Sequence, residues 1–512
     1  MSKKKAVWTV MVYLAGDNNL TAECLFALTE MKKASPGKRL NVIAQFDPRD
    51  EFIPTHRYEI NRYGPKSSIF DDIIDEARYD SKTGETCFRR ESKRAQALAQ
   101  KRAADTHRVN RLFKNDDDLS ALEFVENEPT DDTDTGAPSA LYNFLSFCIE
   151  EYPAEHYLVV LSGHSGGVES DYLLKDDSSK GSLTFNEMKQ VFRQLKNDLH
   201  DRPIDIVGMD SCLMSMCEIC YELRELVDIV IGCESFSPAS GWPYREIIQR
   251  LKHSVKAKQS SKVKVAAAIV EEYVNYYSAY WLSGMSVSQS ALDVRRVSGL
   301  REHIDKLARV MEKELRIATD NSKQRSFKDD LVLAHWEAQS YNGERFIDLF
   351  DFCKCLERRT PLATVLEQCQ ETCRFISRKF VLKSCYSGAT YQYSYGVSIY
   401  FPWSQLLPKY ENLEFVQGDS GWLRFLKTYL TATRRLPRGS ADQVAQMSST
   451  ELSDNARMTA DRMTADRMYT TTPGNEISSM RNPPVVFIPD VCINDHKGSL
   501  KAQARLCGTN SR

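Results

Sequence analysis

No apolar run in this chain approaches the roughly 18 residues needed to cross a bilayer, so no membrane span is expected. Neither sign of charge dominates, with 68 Lys and Arg against 70 Asp and Glu and a net charge of −2. That balance supplies no general attraction toward nucleic acid or a membrane surface. The 14 cysteines are scattered, without the compact framework of a small secreted domain. Free thiols in a reducing, cytoplasmic setting are therefore expected. The start, Lys3-Lys4-Lys5 followed by Ala6 to Ala15, imitates a secretion signal but lacks a small-residue cleavage site. Gly16-Asp17-Asn18-Asn19 ends it as a strand-to-turn signal does.

What is present alternates as an α/β protein does. Strands are predicted over Val7–Leu14, Asn41–Phe46, His156–Leu161, Ile204–Met209 and Val227–Gly232, with a hairpin edge over Arg57–Tyr63. Helices are predicted over Thr21–Lys33, Ser139–Glu151, Leu183–Leu199 and Cys212–Leu226. A chain of 512 residues is long for one core. Residues 1–63 and 137–261 read as the α/β core, and 262–433 as a C-terminal lobe that completes it. The lobe includes a helix over Val263–Tyr280 and strands over Ser286–Leu292 and Gly396–Phe401. Residues 64–136 form a charged insertion, basic around Arg89–Arg111 and then acidic, which reads as a surface subdomain or a partly disordered loop. The tail, 434–512, repeats Arg457-Met458-Thr459-Ala460-Asp461 as Arg462-Met463-Thr464-Ala465-Asp466, a period that fits neither helix nor strand. It is expected to be disordered.

Two apolar strands end in reactive-looking turns. His156 to Leu161 leads to Ser162-Gly163-His164-Ser165-Gly166-Gly167, and Ile204 to Met209 leads to Asp210-Ser211-Cys212. Ligands and chemistry collect beyond the carboxyl ends of such strands. A thiol with a pKa near ~8.5 is only slightly ionised at neutral pH. A helix beginning at Cys212 would help with its dipole, and His164 could take and return a proton. The plainer reading is a buried cysteine and a turn histidine. Asp210 is either a helix cap or a carboxylate at a pocket floor that pairs with a basic substrate residue.

Three other patterns are weaker. Gly163-His164-Ser165-Gly166-Gly167 fits the G-x-S-x-G elbow of serine hydrolases, but a turn-rich loop follows where a helix is required. Cys212, Cys217, Cys220 and Cys233 match an iron–sulfur spacing, yet on a helix the first three would not converge. Cys353, Cys355, Cys369 and Cys373 lack zinc-ligand spacing and read as helix-surface or core thiols.

At these residues the chain resembles the clostripain-like (C11) cysteine peptidases, caspase-fold enzymes of clan CD. The resemblance runs in order through Met11 to Leu20, Tyr152 to Tyr157, Asp205 to Met214, Glu234, Gly241-Trp242-Pro243-Tyr244, Ser290 to Asp293 and Gly396 to Pro402. It implies a caspase-like, mostly parallel sheet flanked by helices, an α/β/α sandwich. It implies Cys212 as nucleophile, His164 as general acid/base and Asp210 in the S1 pocket, which in relatives favours Arg or Lys. Amides of Ser165 and Cys212 would bind the oxyanion, and Asp17, Glu234 and Trp242 are candidates for lining the pocket. Relatives are often cut between the histidine and cysteine strands, which makes Lys175 and Lys180 candidate self-cleavage sites. No cofactor is needed for the chemistry. Some relatives depend on calcium, and Asp176 and Asp177 are acidic enough to be suspected, without a readable ligand set. Where the family has glycine after the histidine, this chain has Ser165, which adds a Cβ beside the proposed oxyanion site.

The expected function is therefore an endopeptidase acting on protein or peptide substrates, with neither nucleic acid nor membrane as partner. The rivals are a catalytically silent caspase-like scaffold, docking regulatory partners through the insertion or tail, and a serine hydrolase using Ser165.

Overall fold

A computed structural model of the chain describes residues 5–34, 36–49, 55–60, 77–80, 85–88, 134–258, 260–279, 285–320, 327–343, 345–434 and 485–487. Its centre is one sheet of nine strands. In chain order these are β1 (Ala6–Gly16), β2 (Leu40–Pro48), β3 (His56–Glu59), β6 (Ala154–Ser162), β7 (Ile204–Asp210), β8 (Val227–Gly232), β9 (Val287–Asp293), β12 (Val381–Ser387) and β14 (Val485–Phe487). Across the sheet they run β14-β12-β9-β8-β7-β6-β1-β2-β3. The five central strands, β8 to β2, are mutually parallel. Antiparallel strands extend both sides, β3 at one edge and β9, β12 and β14 at the other. Two small sheets stand apart: β4 (Ala77–Asp80) with β5 (Glu85–Phe88), and β10 (Ser340–Tyr341), β11 (Phe346–Asp348) and β13 (Ser398–Tyr400).

The central strands are apolar throughout because both faces are covered. Along β1, Met11, Tyr13 and Ala15 enter one core while Val10, Val12 and Leu14 enter the other. The first core is roofed by helices Pro138–Glu151, Phe185–Asp198 and Val297–Asp320, the second by Thr21–Ala34, Tyr244–Lys256 and Lys262–Ala279. The parallel sheet read from the alternation of elements, and the α/β/α sandwich that the family resemblance implies, are what form. The segment read as a C-terminal lobe gives β9 and β12 to the main sheet itself. It is joined to the core where buried Glu218 accepts hydrogen bonds from Tyr400 N–H (2.8 Å) and Tyr410 Oη (2.9 Å).

One expected helix is much shorter. Only Cys217–Glu222 is helical, and the chain from Ser211 to Met216 is a turn and an extended stretch. Leu213 takes a left-handed φ of 60°, and Met214 and Ser215 donate their N–H groups to Cys233 O. Most of the charged insertion and of the tail, with the disorder expected for them, lies outside the described residues. No described helix is long and apolar enough to cross a membrane.

Candidate active site

The strand order places a topological switch between β1 and β6. The chain leaves β1 for β2 on one side and builds β6, β7 and β8 on the other. The helix after β1 packs into one core and the Phe185–Asp198 helix after β6 into the opposite one. A crevice at the carboxyl ends is the geometric consequence. It is occupied by a cleft of ≈ 120 Å³. The ends of β6 and β7 supply Ser162, Gly163, His164, Asp210, Ser211 and Cys212. The start of the Thr21–Ala34 helix forms one wall and the Ser237–Gly241 loop the other.

His164 and Cys212 are both half-buried and line this cleft together. His164 Nε2 lies 2.6 Å from Asn19 Oδ1. An amide oxygen can only accept, so this contact puts the proton on Nε2 and leaves Nδ1 as the basic nitrogen. Burial, followed by the positive charge of Lys175, pushes the His164 pKa below its ordinary value. Burial pushes the Cys212 thiol up, opposed by a hydrogen bond from Ser237 N–H to Sγ at 3.4 Å. Help for the thiolate thus comes from the loop after β8. The helix dipole expected at Cys212 is not available, because the helix starts five residues later.

Asp210 is 5 % exposed at the end of β7. It does not cap a helix. Its Oδ2 accepts from Tyr244 Oη (2.7 Å) and Ser162 Oγ (3.0 Å), while Oδ1 has no hydrogen-bonding partner among the described residues. Burial raises its pKa, and the Tyr244 hydroxyl, the Trp242 backbone N–H and the Ser162 hydroxyl pull it back, in that order. Gly241 presses against this carboxylate at φ 68°, and a Cβ there would stand 2.8 Å from Oδ2. The arrangement is a buried, half-satisfied carboxylate beneath a cleft.

Ser165 is buried and does not line the cleft. Its hydroxyl donates to the Cys212 carbonyl oxygen. Only one helical turn, Gly167–Ser170, follows it. A nucleophile elbow needs an exposed hydroxyl at the head of a helix, so the serine-hydrolase reading is overturned. Ser165 has an ordinary φ, and the added Cβ brings no backbone strain. Its N–H stays out of the local pairing, which runs through Gly166 N–H to Tyr172 O and Leu174 N–H to His164 O.

The three other lining candidates sit elsewhere. Trp242 is 2 % exposed and covers Gly208 in the core, where a Cβ would meet its ring at 2.4 Å. Glu234 is buried behind the Cys212 loop, where its Oε2 accepts from Gly396 N–H at 2.9 Å. Asp17 belongs to a different cluster. Its carboxylate, with those of Asp47 and Asp176, places three oxygens within 4.8 Å of one another, all on buried residues. Asp177 stands outside this cluster and pairs with Lys175 at 2.7 Å. Hard oxygen donors of this kind suit Ca²⁺ or Mg²⁺. Cys217 and Cys220 are buried packing residues on the Cys217–Glu222 helix. Cys353, Cys355, Cys369 and Cys373 are likewise buried.

Sequence reasoning missed Asn19, Tyr244, Ser237 and Glu23, all in or against the cleft. Asn19 and Tyr244 fall within the stretches that carry the family resemblance, and Asn19 also ends the turn that closes β1; neither was singled out as a site residue.

The sequence profile of the Clostripain family, Peptidase_C11, matches residues 12–410. Clostripain from Hathewaya histolytica is 23% identical over 264 residues, covering 48% of this chain and 42% of clostripain's length. A secreted C11 cysteine protease from Bacteroides thetaiotaomicron, solved with an irreversible peptide inhibitor, superposes with TM-score 0.52 at 15% identity. The match covers 82% of this chain and 99% of that one. A second structure of a secreted C11 cysteine protease from that organism, called iotapain, gives TM-score 0.51 at 15% identity over 80% and 98% of the two chains. The agreement extends from β1 to the strands of the C-terminal segment, so the chain belongs to the clostripain (C11) family of cysteine peptidases.

Proposed function

We propose that the chain is an endopeptidase that cuts after Arg or Lys, with Cys212 as nucleophile and His164 as general acid/base. The observation that carries the reading is the shared cleft: thiol and imidazole line it together, above a buried carboxylate with an unsatisfied oxygen. A cationic side chain entering the cleft supplies the partner that Asp210 Oδ1 lacks. As Sγ bonds to the scissile carbonyl carbon, the thiol proton passes to His164. The N–H of Cys212, in the cleft wall, receives the oxyanion. His164 then returns the proton to the departing amine, leaving a thioester that water hydrolyses.

Self-cleavage fits Lys180 better than Lys175. The Lys175 carbonyl accepts from Asn18 Nδ2 at 2.7 Å, and the next residue's N–H donates to Gly181 O at 3.0 Å. Lys180 is exposed at φ 58°. Asp17, Asp47 and Asp176 would hold a calcium ion, whose part is to hold together the segments that carry these three residues. A cytoplasmic setting rests only on the eleven free cysteines of the described residues, and the two Bacteroides relatives are described as secreted.

The test is kinetic. Wild-type protein should hydrolyse Arg- and Lys-ended peptidyl amides, and Cys212→Ala should lose at least about 10³-fold in kcat/KM. Asp210→Asn should reduce turnover of basic substrates selectively. Activity that survives Cys212→Ala refutes the reading.

A further inference from the structure

The cleft holds a second carboxylate that the family resemblance did not point to. Glu23 stands in the first turn of the Thr21–Ala34 helix and lines the cleft together with Asp210. Its Oε2 is buried without a hydrogen-bonding partner among the described residues, as Asp210 Oδ1 is. The thiol of Cys24, also in the cleft wall, feels the negative charges of both Asp210 and Glu23. His164 feels Glu23 as well. No lysine or arginine is among the residues lining the cleft.

An acidic residue in a first turn has an ordinary structural use, offsetting the helix dipole. That use is satisfied from the solvent side and gives no reason to bury an oxygen without a donor. Two carboxylates facing one cleft with no cation between them call for a cationic occupant with donors in more than one direction. A guanidinium is planar, weakly hydrated and carries five N–H donors in a fixed fork, so it can serve two carboxylates at once. An ammonium is a compact, strongly hydrated point charge with three donors and gains less from the second carboxylate.

We propose that Glu23 and Asp210 grip one arginine side chain of the substrate from two sides, and that Glu23 makes the pocket select Arg over Lys. The proposal rests on the reading of this cleft as the pocket for a basic residue. Its test compares wild type, Glu23→Gln and Glu23→Asp on two peptidyl amides that differ only in ending in Arg or Lys. Glu23→Gln should lower kcat/KM for the Arg substrate about tenfold more than for the Lys substrate, the scale of one charge-assisted hydrogen bond. Glu23→Asp, which keeps the charge, should retain part of the preference. A role limited to the helix moves the melting temperature and both substrates together. An unchanged Arg-to-Lys ratio in Glu23→Gln therefore overturns the proposal while leaving the basic pocket standing. A wild-type protein that cleaves neither substrate overturns both.

Discussion

At the scale of single residues, the resting chemistry is set by burial. The imidazole of His164 is held below its usual pKa and the thiol of Cys212 above its own. Both groups are consequently neutral near pH 7, so in the proposed mechanism the thiolate forms during attack instead of waiting as an ion pair. A neutral imidazole is required for that, so kcat/KM should fall as pH drops through a value below the ordinary histidine range. Lys175 lowers the His164 pKa and Asp177 raises it. Lys175→Gln should then move the acid limb to higher pH, and Asp177→Asn should move it to lower pH. The pH dependence of kcat/KM for each variant checks the pair, and shifts in the same direction would contradict it. Cys212, His164 and Asp210 were legible because each closes an apolar strand. Ser237 and Glu23 were not, nor was the bond from Tyr244 to Asp210, since these residues come from other segments of the chain and only the folded crevice brings them together. Ser165, read as a departure from the family, instead ties the histidine loop to the cysteine loop through the Cys212 carbonyl.

Among elements, the parallel strands were legible nearly to the residue, because burial on both faces leaves an unbroken β-branched run that little else in a soluble chain produces. The helix after Cys212 was overread for a related reason. Leu213 to Leu223 is apolar because it is buried on all sides, and burial alone does not select a helix. The turn instead spends its N–H groups on Cys233 O and Ser235 O, which aims Cys212 into the cleft. The acidic cluster is also an element-scale feature: Asp17 follows β1, Asp47 lies in β2, and Asp176 sits in the loop beyond His164. Asn18 and Asn19, beside Asp17, bond to Lys175 O and His164. A bound calcium ion would accordingly stiffen the support of the histidine. Calcium at about 100 times its dissociation constant should stabilise the protein by about 2.7 kcal/mol. Thermal unfolding with calcium against chelator should show that shift in wild type and much less of it in Asp176→Asn. Equal shifts in both proteins would remove the cluster from consideration.

For the whole molecule, one sheet gathers strands from β1 near the start to β12 more than 360 residues later, and the family profile, residues 12–410, takes in the end of β1 and all of β12. The division into core and C-terminal lobe was readable from composition, but the sharing of one sheet was not, because antiparallel β9 and β12 carry no sequence mark of their partner. In the proposed function, this assembly presents Cys212 as a nucleophile above a pocket for a basic side chain. A catalytically silent scaffold of the same fold would share the cleft and lack that reactivity. The most direct test is covalent. The intact protein is treated with a thiol-directed peptidyl probe ending in Arg, beside a matched probe ending in a neutral residue, and the labelled site is mapped by mass spectrometry. The account predicts stoichiometric labelling at Cys212 by the basic probe, weak labelling by the neutral one, and loss of basic labelling in Asp210→Asn. Labelling spread over several cysteines, or equal for the two probes, would contradict it.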